Sequence, residues 1–207
     1  SSNRSIFLDN TIRLADCYFL NRQYNEAVRE YDFIIKNDYK NADYAIFQKG
    51  MIYGLQERSS EKINTLKLIQ KDFVKSIYID DALYQIAREY LVLENYTMAE
   101  SIFKLIISQH DYSPYLDDCY LKLGLIYNNR AKEDIALGYF KTVVERFPKT
   151  SSAKEALSFI EIIYTNQGKP EEWIDYAKSA GNDIRVSYQD SAIYQSALVK
   201  YSKGDCN

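Results

Sequence analysis

Apolar and small residues recur along this chain with a period of about 37 positions, and tyrosine marks the period most clearly. The periodic tyrosines stand 35, 37, 37, 37 and 37 residues apart: Tyr18, Tyr53, Tyr90, Tyr127, Tyr164 and Tyr201. Because 20 of the 207 residues are tyrosine, one periodic position is weak evidence. Other positions keep the same register, with mostly small residues three before the tyrosine and mostly large apolar residues thirteen and sixteen after it. The joint register predicts a repeat protein whose units bury their apolar faces by stacking.

Each period predicts a hairpin of two antiparallel helices. A small residue, such as Ala15 or Gly124, shares one face of a first helix with the tyrosine three positions later. A large residue, such as Tyr31 or Phe140, lies on the facing side of a second helix, so that small meets large where the helices cross. Turn residues follow the tyrosines at Asn21-Arg22-Gln23, Glu94-Asn95, Asn128-Asn129-Arg130 and Asn166-Gln167-Gly168. We therefore expect the periodic tyrosines to be packing residues inside the hairpins.

The most complete copy of the pattern occupies residues 117–150. It contains Tyr120, Leu123, Gly124, Tyr127, Ala136, Phe140, Val143 and Pro148 in order, and the proline ends its second helix. This pattern resembles the tetratricopeptide repeat (TPR), whose basic unit is 34 residues long. The resemblance implies an all-α, right-handed superhelical solenoid of antiparallel helix hairpins that binds protein, has no catalytic activity and needs no cofactor.

The longer units of this chain resemble those of TPR proteins of Gram-negative cell envelopes, such as the outer-membrane assembly lipoprotein and the Tol-Pal-associated coordinator. This resemblance implies a bacterial protein that is periplasmic or associated with the outer membrane; a cytoplasmic location stays open. The register predicts a single solenoid over residues 1–207, with units at about 8–42, 43–79, 80–116, 117–153 and 154–190 and a partial unit at 191–207. We expect a fragment of a longer repeat protein; the alternative is that the last helix caps the array.

Two hairpins depart from the pattern. In the second, Lys62 takes the place of a buried alanine and Lys49 that of a leucine, so we expect a looser hairpin or a displaced second helix. In the fifth, Glu161 and Trp173 replace small residues. A stranded buried glutamate is costly, so we expect Glu161 to point outward or to meet a partner. The second helix should be short there, and residues 181–188 are the best candidate for a kink.

Charge and motifs exclude several functions. The 26 basic and 29 acidic residues give a net charge of −3, and no basic run is long enough to follow a phosphate backbone, so nucleic acid is a poor candidate partner. No stretch of 18 apolar residues predicts a membrane span. The chain lacks the common motifs of catalytic, nucleotide-binding and metal sites, and an enzyme is a distant third possibility.

The remaining reactive residue types have structural explanations. Three cysteines, Cys17, Cys119 and Cys206, are expected to be free thiols, two of them buried as small apolar residues. The single histidine, His110, is expected to be a cation at a helix C-terminus. The acidic pairs at 80–81 and 117–118 are expected to cap and stabilise the starts of first helices.

The resemblance implies that the first helices line a concave groove, with inward positions nine, six and two residues before each periodic tyrosine and one and two after it. The candidate partner-binding residues are Asp16, Phe19, Tyr44, Phe47, Met51, Asp81, Tyr84, Arg88, Asp118, Leu121, Leu125, Asn128 and Asn129. Aromatic and aliphatic residues with scattered acids suit an extended or helical polypeptide segment with apolar anchors and a few basic residues. The alternative is that several of these apolar residues pack against neighbouring first helices.

Arg88 is nearly the only base in this set, which disfavours the carboxylate clamp of chaperone-binding TPR modules. The sequence therefore predicts a non-catalytic scaffold that binds a protein or peptide in a multiprotein assembly. The alternative is a structural spacer or a self-associating segment without a groove ligand.

Overall fold

The computed structural model describes residues 2–181 together with residues 193, 194, 197, 198 and 201. Ten bounded α-helices lie within residues 2–181: α1 (Ser2–Leu20), α2 (Tyr24–Asn37), α3 (Ala42–Leu55), α4 (Ser59–Asp72), α5 (Ile79–Val92), α6 (Tyr96–Gln109), α7 (Leu116–Asn129), α8 (Glu133–Arg146), α9 (Ser151–Asn166) and α10 (Pro170–Ser179). A 3-10 turn, Tyr39–Asn41, precedes α3. Residues 182–188 of the expected kink, the turn after Tyr201 and Cys206 lie outside the described residues.

The helices pair in chain order into five hairpins, which confirms the all-α hairpin fold. Three hairpins, α1/α2, α3/α4 and α5/α6, belong to a compact unit at Ser1–Ser113, here called the N-terminal unit. The hairpins α7/α8 and α9/α10 belong to a second compact unit at Pro114–Asn207, the C-terminal unit. Within each unit, the second helix of one hairpin packs on the first helix of the next. Each unit therefore has the stacked organisation that the register predicts.

All five hairpins turn in the same way. The residue four positions after each periodic tyrosine has a left-handed backbone, with φ between 54° and 72°: Arg22, Glu57, Glu94, Ala131 and Gly168. The next amide donates a hydrogen bond to the tyrosine's carbonyl oxygen, as from Asn95 N to Tyr90 O at 2.8 Å. This pairing is a Schellman motif, which satisfies carbonyls that a helix end leaves without partners. Because the left-handed residue fixes the turn, the fourth turn occupies residues 130–132, and Asn128 and Asn129 stay helical.

The expected contact of small with large residues holds the hairpins together. A Cβ added to Gly50 would lie 2.5 Å from Leu66 Cδ2, and one added to Gly124 would lie 2.4 Å from Phe140 Cε1. Leu66 and Phe140 are fully buried. The close approach of the helices therefore requires glycine in these two hairpins.

The periodic tyrosines pack inside the hairpins and also link neighbouring ones. Tyr164 is buried, Tyr90 is half-buried, and Tyr201 is 75% exposed. The hydroxyl of Tyr90 accepts a hydrogen bond from Lys67 Nζ at 2.9 Å, and that of Tyr164 accepts one from Lys141 Nζ at 2.8 Å. Both lysines lie on the second helix of the preceding hairpin, α4 or α8. Two of the packing tyrosines thus also bond to the preceding hairpin.

The second hairpin is not loosened by Lys62, and that expectation is wrong. Lys62 is only 7% exposed, and Leu66 on the same helix is fully buried. The lysine's stem lies over Gly54, where an added Cβ would be 3.1 Å from Lys62 Cδ. A glycine on α3 therefore provides the space that the larger residue on α4 needs. Lys49 places its ammonium beside the Asp32 carboxylate, and both side chains are partly exposed.

The Lys62 ammonium is neutralised by the next hairpin. Its Nζ lies 2.7 Å from Glu89 Oε2 on α5, and Ser59 Oγ donates to the other carboxylate oxygen of Glu89. Burial alone would raise the pKa of Glu89, but the hydrogen bonds from Lys62 and Ser59 hold that pKa below its ordinary value. The substitution at the alanine position thus creates a buried ion pair between two hairpins.

The fifth hairpin has the short second helix that was expected, since α10 contains 10 residues. Trp173 is buried, and Ala177 stands at the position that Phe140 has in the fourth hairpin. In this hairpin the large residue, Trp173, therefore stands where the fourth hairpin has Ala136, and a small residue stands where it has Phe140. Glu161 is half-buried and has no hydrogen-bond or ion-pair partner among the described residues, so it neither points fully outward nor meets a described partner. Burial raises the pKa of its carboxyl.

Two glycine substitutions test the crossing. We expect Gly124→Ala to lower the free energy of unfolding by about 1–3 kcal/mol, because the new methyl overlaps Phe140. The matched control is Gly138→Ala on α8, whose added Cβ meets nothing within 4 Å. It should stabilise the helix by roughly 0.5–1 kcal/mol through propensity alone. Urea unfolding measures both, and equal effects of the two substitutions would contradict the close crossing.

Substitutions at Lys62 and Glu89 test the buried ion pair. We expect Lys62→Met to lower the free energy of unfolding at pH 7 by about 3 kcal/mol, since it leaves the Glu89 carboxylate buried without its cation. Adding Glu89→Gln should restore most of the loss, because the amide still accepts from Ser59. In the wild type, the folded pKa of Glu89 lies below the unfolded value, so its stabilisation is present above the unfolded pKa and is lost as pH falls through the folded pKa. If Lys62→Met lowers the free energy of unfolding equally in the wild type and in the Glu89→Gln variant, the two side chains are not coupled.

Candidate functional site

The predicted partner-binding residues all lie on first helices. In the N-terminal unit, Asp16 and Phe19 are on α1, Tyr44, Phe47 and Met51 are on α3, and Asp81, Tyr84 and Arg88 are on α5. In the C-terminal unit, Asp118, Leu121, Leu125, Asn128 and Asn129 are all on α7. The surface formed by the first helices of the N-terminal unit is called the first-helix face below.

Asp16 organises the first-helix face. Its Oδ1 accepts hydrogen bonds from the hydroxyls of Tyr31, at 2.6 Å, and Tyr44, at 2.9 Å. The two tyrosines lie on α2 and α3, so one carboxylate ties together three helices. Burial raises the pKa of both phenols, and their hydrogen bonds to Asp16 raise it further. The two hydroxyls therefore stay protonated donors at neutral pH.

Three aromatic rings lie side by side next to Asp16. The ring of Tyr78 lies 5.5 Å from that of Phe47, stacked with an interplanar angle of 18°, and 5.8 Å from that of Tyr44. All three side chains are half-buried. Tyr78 was missed by sequence reasoning because it stands twelve positions before Tyr90, outside the predicted window. The signal was present, since Tyr115 stands twelve positions before Tyr127.

The rings lie in a negative field. Burial raises the pKa of Tyr78, and the carboxylates of Asp43, Asp81 and Asp16 raise it further. Asp43 itself accepts a hydrogen bond from Ser76 Oγ at 2.6 Å. The field comes from three different first helices, α1, α3 and α5.

Other predicted residues lie apart from this cluster. Phe19 packs beside Tyr24 at the first turn, with ring centroids 6.3 Å apart. The ring of Tyr84 lies 6.5 Å from Phe103 on the second helix of its own hairpin, and the Arg88 guanidinium lies 5.8 Å from the centroid of the Tyr84 ring. The third hairpin therefore presents its arginine together with its own aromatic ring.

The residues on α7 differ in their availability. Leu121 is 1% exposed and belongs to the hydrophobic core of the C-terminal unit, and Leu125 packs against that core. Asn129 is exposed, and Asn128 is half-buried. Leu121 cannot touch a partner while this core is intact, so the alternative of internal packing holds for this residue.

The acidic pairs serve helix starts in a different way than expected. Tyr78 and Tyr115 occupy the N-cap positions of α5 and α7, and neither helix has a side-chain cap hydrogen bond. The aspartates lie in the first turns, where negative charge still favours the helix dipole. Asp80 also pairs with His110, whose Nδ1 lies 2.5 Å from Asp80 Oδ1 at the C-cap of α6.

The described residues include no candidate metal site. They contain no group of three histidine, cysteine, aspartate or glutamate side chains that could hold a metal ion. Cys119 is buried as expected, but Cys17 is exposed, and neither forms a disulfide. No helix within the described part of the chain is both long enough and apolar enough to cross a membrane.

Comparisons with known proteins agree with the hairpin fold. A tetratricopeptide repeat family model matches residues 118–150. No curated protein matches the sequence. Among solved structures, one of MamA is 18% identical, with a TM-score of 0.63 over 97% of this chain and 95% of its own. MamA from Desulfovibrio magneticus RS-1, residues 41 to the end, is 13% identical, with a TM-score of 0.61 over 95% of this chain and 96% of its own.

A third similar structure is that of YrrB, described as a TPR protein with an unusual peptide-binding site. It is 17% identical, with a TM-score of 0.59 over 92% of this chain and 90% of its own. None of the matches indicates an enzyme family. One repeat is thus recognised by its sequence and nearly the whole chain by its fold. The chain therefore has a tetratricopeptide-repeat fold, with one repeat identified by sequence at residues 118–150.

Proposed function

We propose that this protein is a non-catalytic scaffold that binds a polypeptide segment on its first-helix face. The observation that carries the proposal is the row of half-buried rings from Tyr44, Phe47 and Tyr78, which comes from two neighbouring hairpins. Aromatic side chains give large contact area at low entropic cost, and they are enriched among the residues that dominate binding energy.

These rings pack against the core of the N-terminal unit and are not among its fully buried residues. The fully buried residues at the hairpin crossings, such as Leu66 and Ile69, form the core, and Phe47 and Tyr78 pack only on its edge. Because these rings are only half-buried, part of each side chain stays accessible to a partner. The peptide-binding site described for YrrB supports the same use of the fold.

The proposed setting is a multiprotein assembly of a bacterial cell envelope. This part of the proposal rests on the resemblance of the units of about 37 residues to those of envelope TPR proteins. The charge balance, with a net charge of −3, favours protein over nucleic acid as the partner.

Self-association is a second candidate function, and a different observation favours it. Leu14 and Cys17 on α1 are exposed. The corresponding residues on later first helices, such as Leu123 and Ile163, are almost completely buried. The outer face of α1 therefore has the same apolar positions that later first helices bury in the stack. It can pack against one more helical hairpin, for example a hairpin of a second copy of this chain.

Pull-down with the tagged protein as bait, in a lysate of its source organism, tests the first-helix face. We expect Phe47→Ala and Tyr84→Ala to lose partners that the wild type retains, because each removes an aromatic contact surface. The matched control is Leu68→Ala, which truncates a partly exposed apolar residue on the second helix α4. If both aromatic variants retain every partner at wild-type yield, polypeptide binding at this face is wrong.

Light scattering of the purified protein tests self-association. We expect the wild-type protein to have an average mass above that of a monomer. The Leu14→Glu variant should have the mass of a monomer, since it places a charge on the stacking surface. Leu20→Glu, at the exposed end of the same helix, serves as the control and should leave the mass unchanged. A wild type that is monomeric at every concentration would exclude this candidate.

A further inference from the structure

We propose that Asp16, Tyr44, Phe47 and Tyr78 form a binding site for a cationic side chain, with a guanidinium preferred, carried by the polypeptide partner. This inference rests on the proposed function and names the chemistry of the partner: a segment with arginine beside apolar residues. It differs from the acidic, carboxylate-terminated ligands that a basic groove would select.

One oxygen of the Asp16 carboxylate has no donor among the described residues. Both tyrosine hydroxyls donate to Oδ1, and among the described residues no group donates to Oδ2. No lysine or arginine of the described residues forms a salt bridge with this half-buried carboxylate. A planar guanidinium carries several donors and pairs well with a carboxylate oxygen that is held in place.

Lysines and arginines of this chain lie over several of its other aromatic rings. Lysine or arginine groups lie over the rings of Tyr53, Tyr84, Tyr90, Tyr120, Tyr127, Tyr164 and Tyr176. None of the described cations lies over Tyr44, Phe47 or Tyr78. These three half-buried rings therefore carry no cation from the described residues, and a cation from outside the chain can approach them.

Three carboxylates act on the aromatic rings. Asp16, Asp43 and Asp81 all act on the Tyr78 hydroxyl, and their effect points to a negative potential across the aromatic surface. Arg88, the one arginine among the predicted groove residues, lies over Tyr84 instead. A cation gains both from the faces of the rings and from the carboxylates, while an anionic partner is repelled by the same groups.

Fluorescence anisotropy of the whole protein with two labelled peptides tests the site. One peptide alternates leucine, alanine and arginine, and the other carries citrulline, which is neutral and nearly isosteric, in place of each arginine. We expect the arginine peptide to bind roughly ten-fold more tightly than the citrulline peptide at low salt, a ratio that should fall as salt is added. The Asp16→Asn variant should bring the ratio close to one.

The choice of variants keeps the fold intact. Asparagine at position 16 still offers an oxygen to the Tyr31 and Tyr44 hydroxyls, so only the charge is lost. Asp111→Asn makes the same charge change at an exposed position after α6 and should leave the ratio unchanged. Phe47→Leu should weaken binding of the arginine peptide more than that of the citrulline peptide, because leucine has no ring face for a cation.

The outcomes separate this inference from the proposed function. Equal binding of the two peptides, an unchanged ratio in Asp16→Asn, or no binding of either peptide would overturn the cation site. If both peptides bind equally and both are lost in Phe47→Ala, polypeptide binding stands while the cation site is wrong. Retention of every partner by the aromatic variants in the pull-down would instead remove the proposed function itself.

Discussion

The second and fourth hairpins of this protein depend on a close approach between two helices, and the fourth hairpin shows it most clearly. Gly124 leaves no room for a methyl group beside Phe140, so the helix axes are held at a fixed point. The tyrosine three residues later, Tyr127, is then held at the edge of the same crossing, and its carbonyl receives the hydrogen bond that ends the helix. One crossing thus sets the position of the turn and, with it, which residues of a first helix face outward.

The same constraint explains why the irregular hairpins still fold. A large residue can replace a small one if the residue opposite becomes smaller, as Gly54 does beneath Lys62. Volume alone does not make this exchange safe, because a lysine brings a charge into the core. Glu89 on the next hairpin supplies the opposite charge, so the exchange within one hairpin is completed by its neighbour. Glu161 has no such partner among the described residues, and its burial works against its ionised form.

The hairpins were predictable from the sequence, but membership of the candidate site was predictable only in part. The crossing, the turns and the short α10 could be predicted because they depend on residues at fixed spacings from the periodic tyrosines. Leu121 stands six positions before its tyrosine, as Phe47 does, yet it is buried while Phe47 is half-buried. The difference arises from contacts with neighbouring helices, and position in a repeat does not determine those contacts. The same limit explains why Tyr78 was missed and why Cys17, on the outer face of α1, is exposed.

The binding that we propose for the first-helix face depends on a hydrogen bond that also serves the fold. Asp16 orients Tyr44 by accepting from its hydroxyl, and Tyr44 in turn packs beside Tyr78. A surface whose rings are already held in place loses little side-chain entropy when a partner binds. At several other rings the chain supplies its own lysine or arginine, as Arg58 does at Tyr53. The rings around Asp16 are thus ordered by the fold yet left without a cation from the described residues, and this combination favours a partner that brings one.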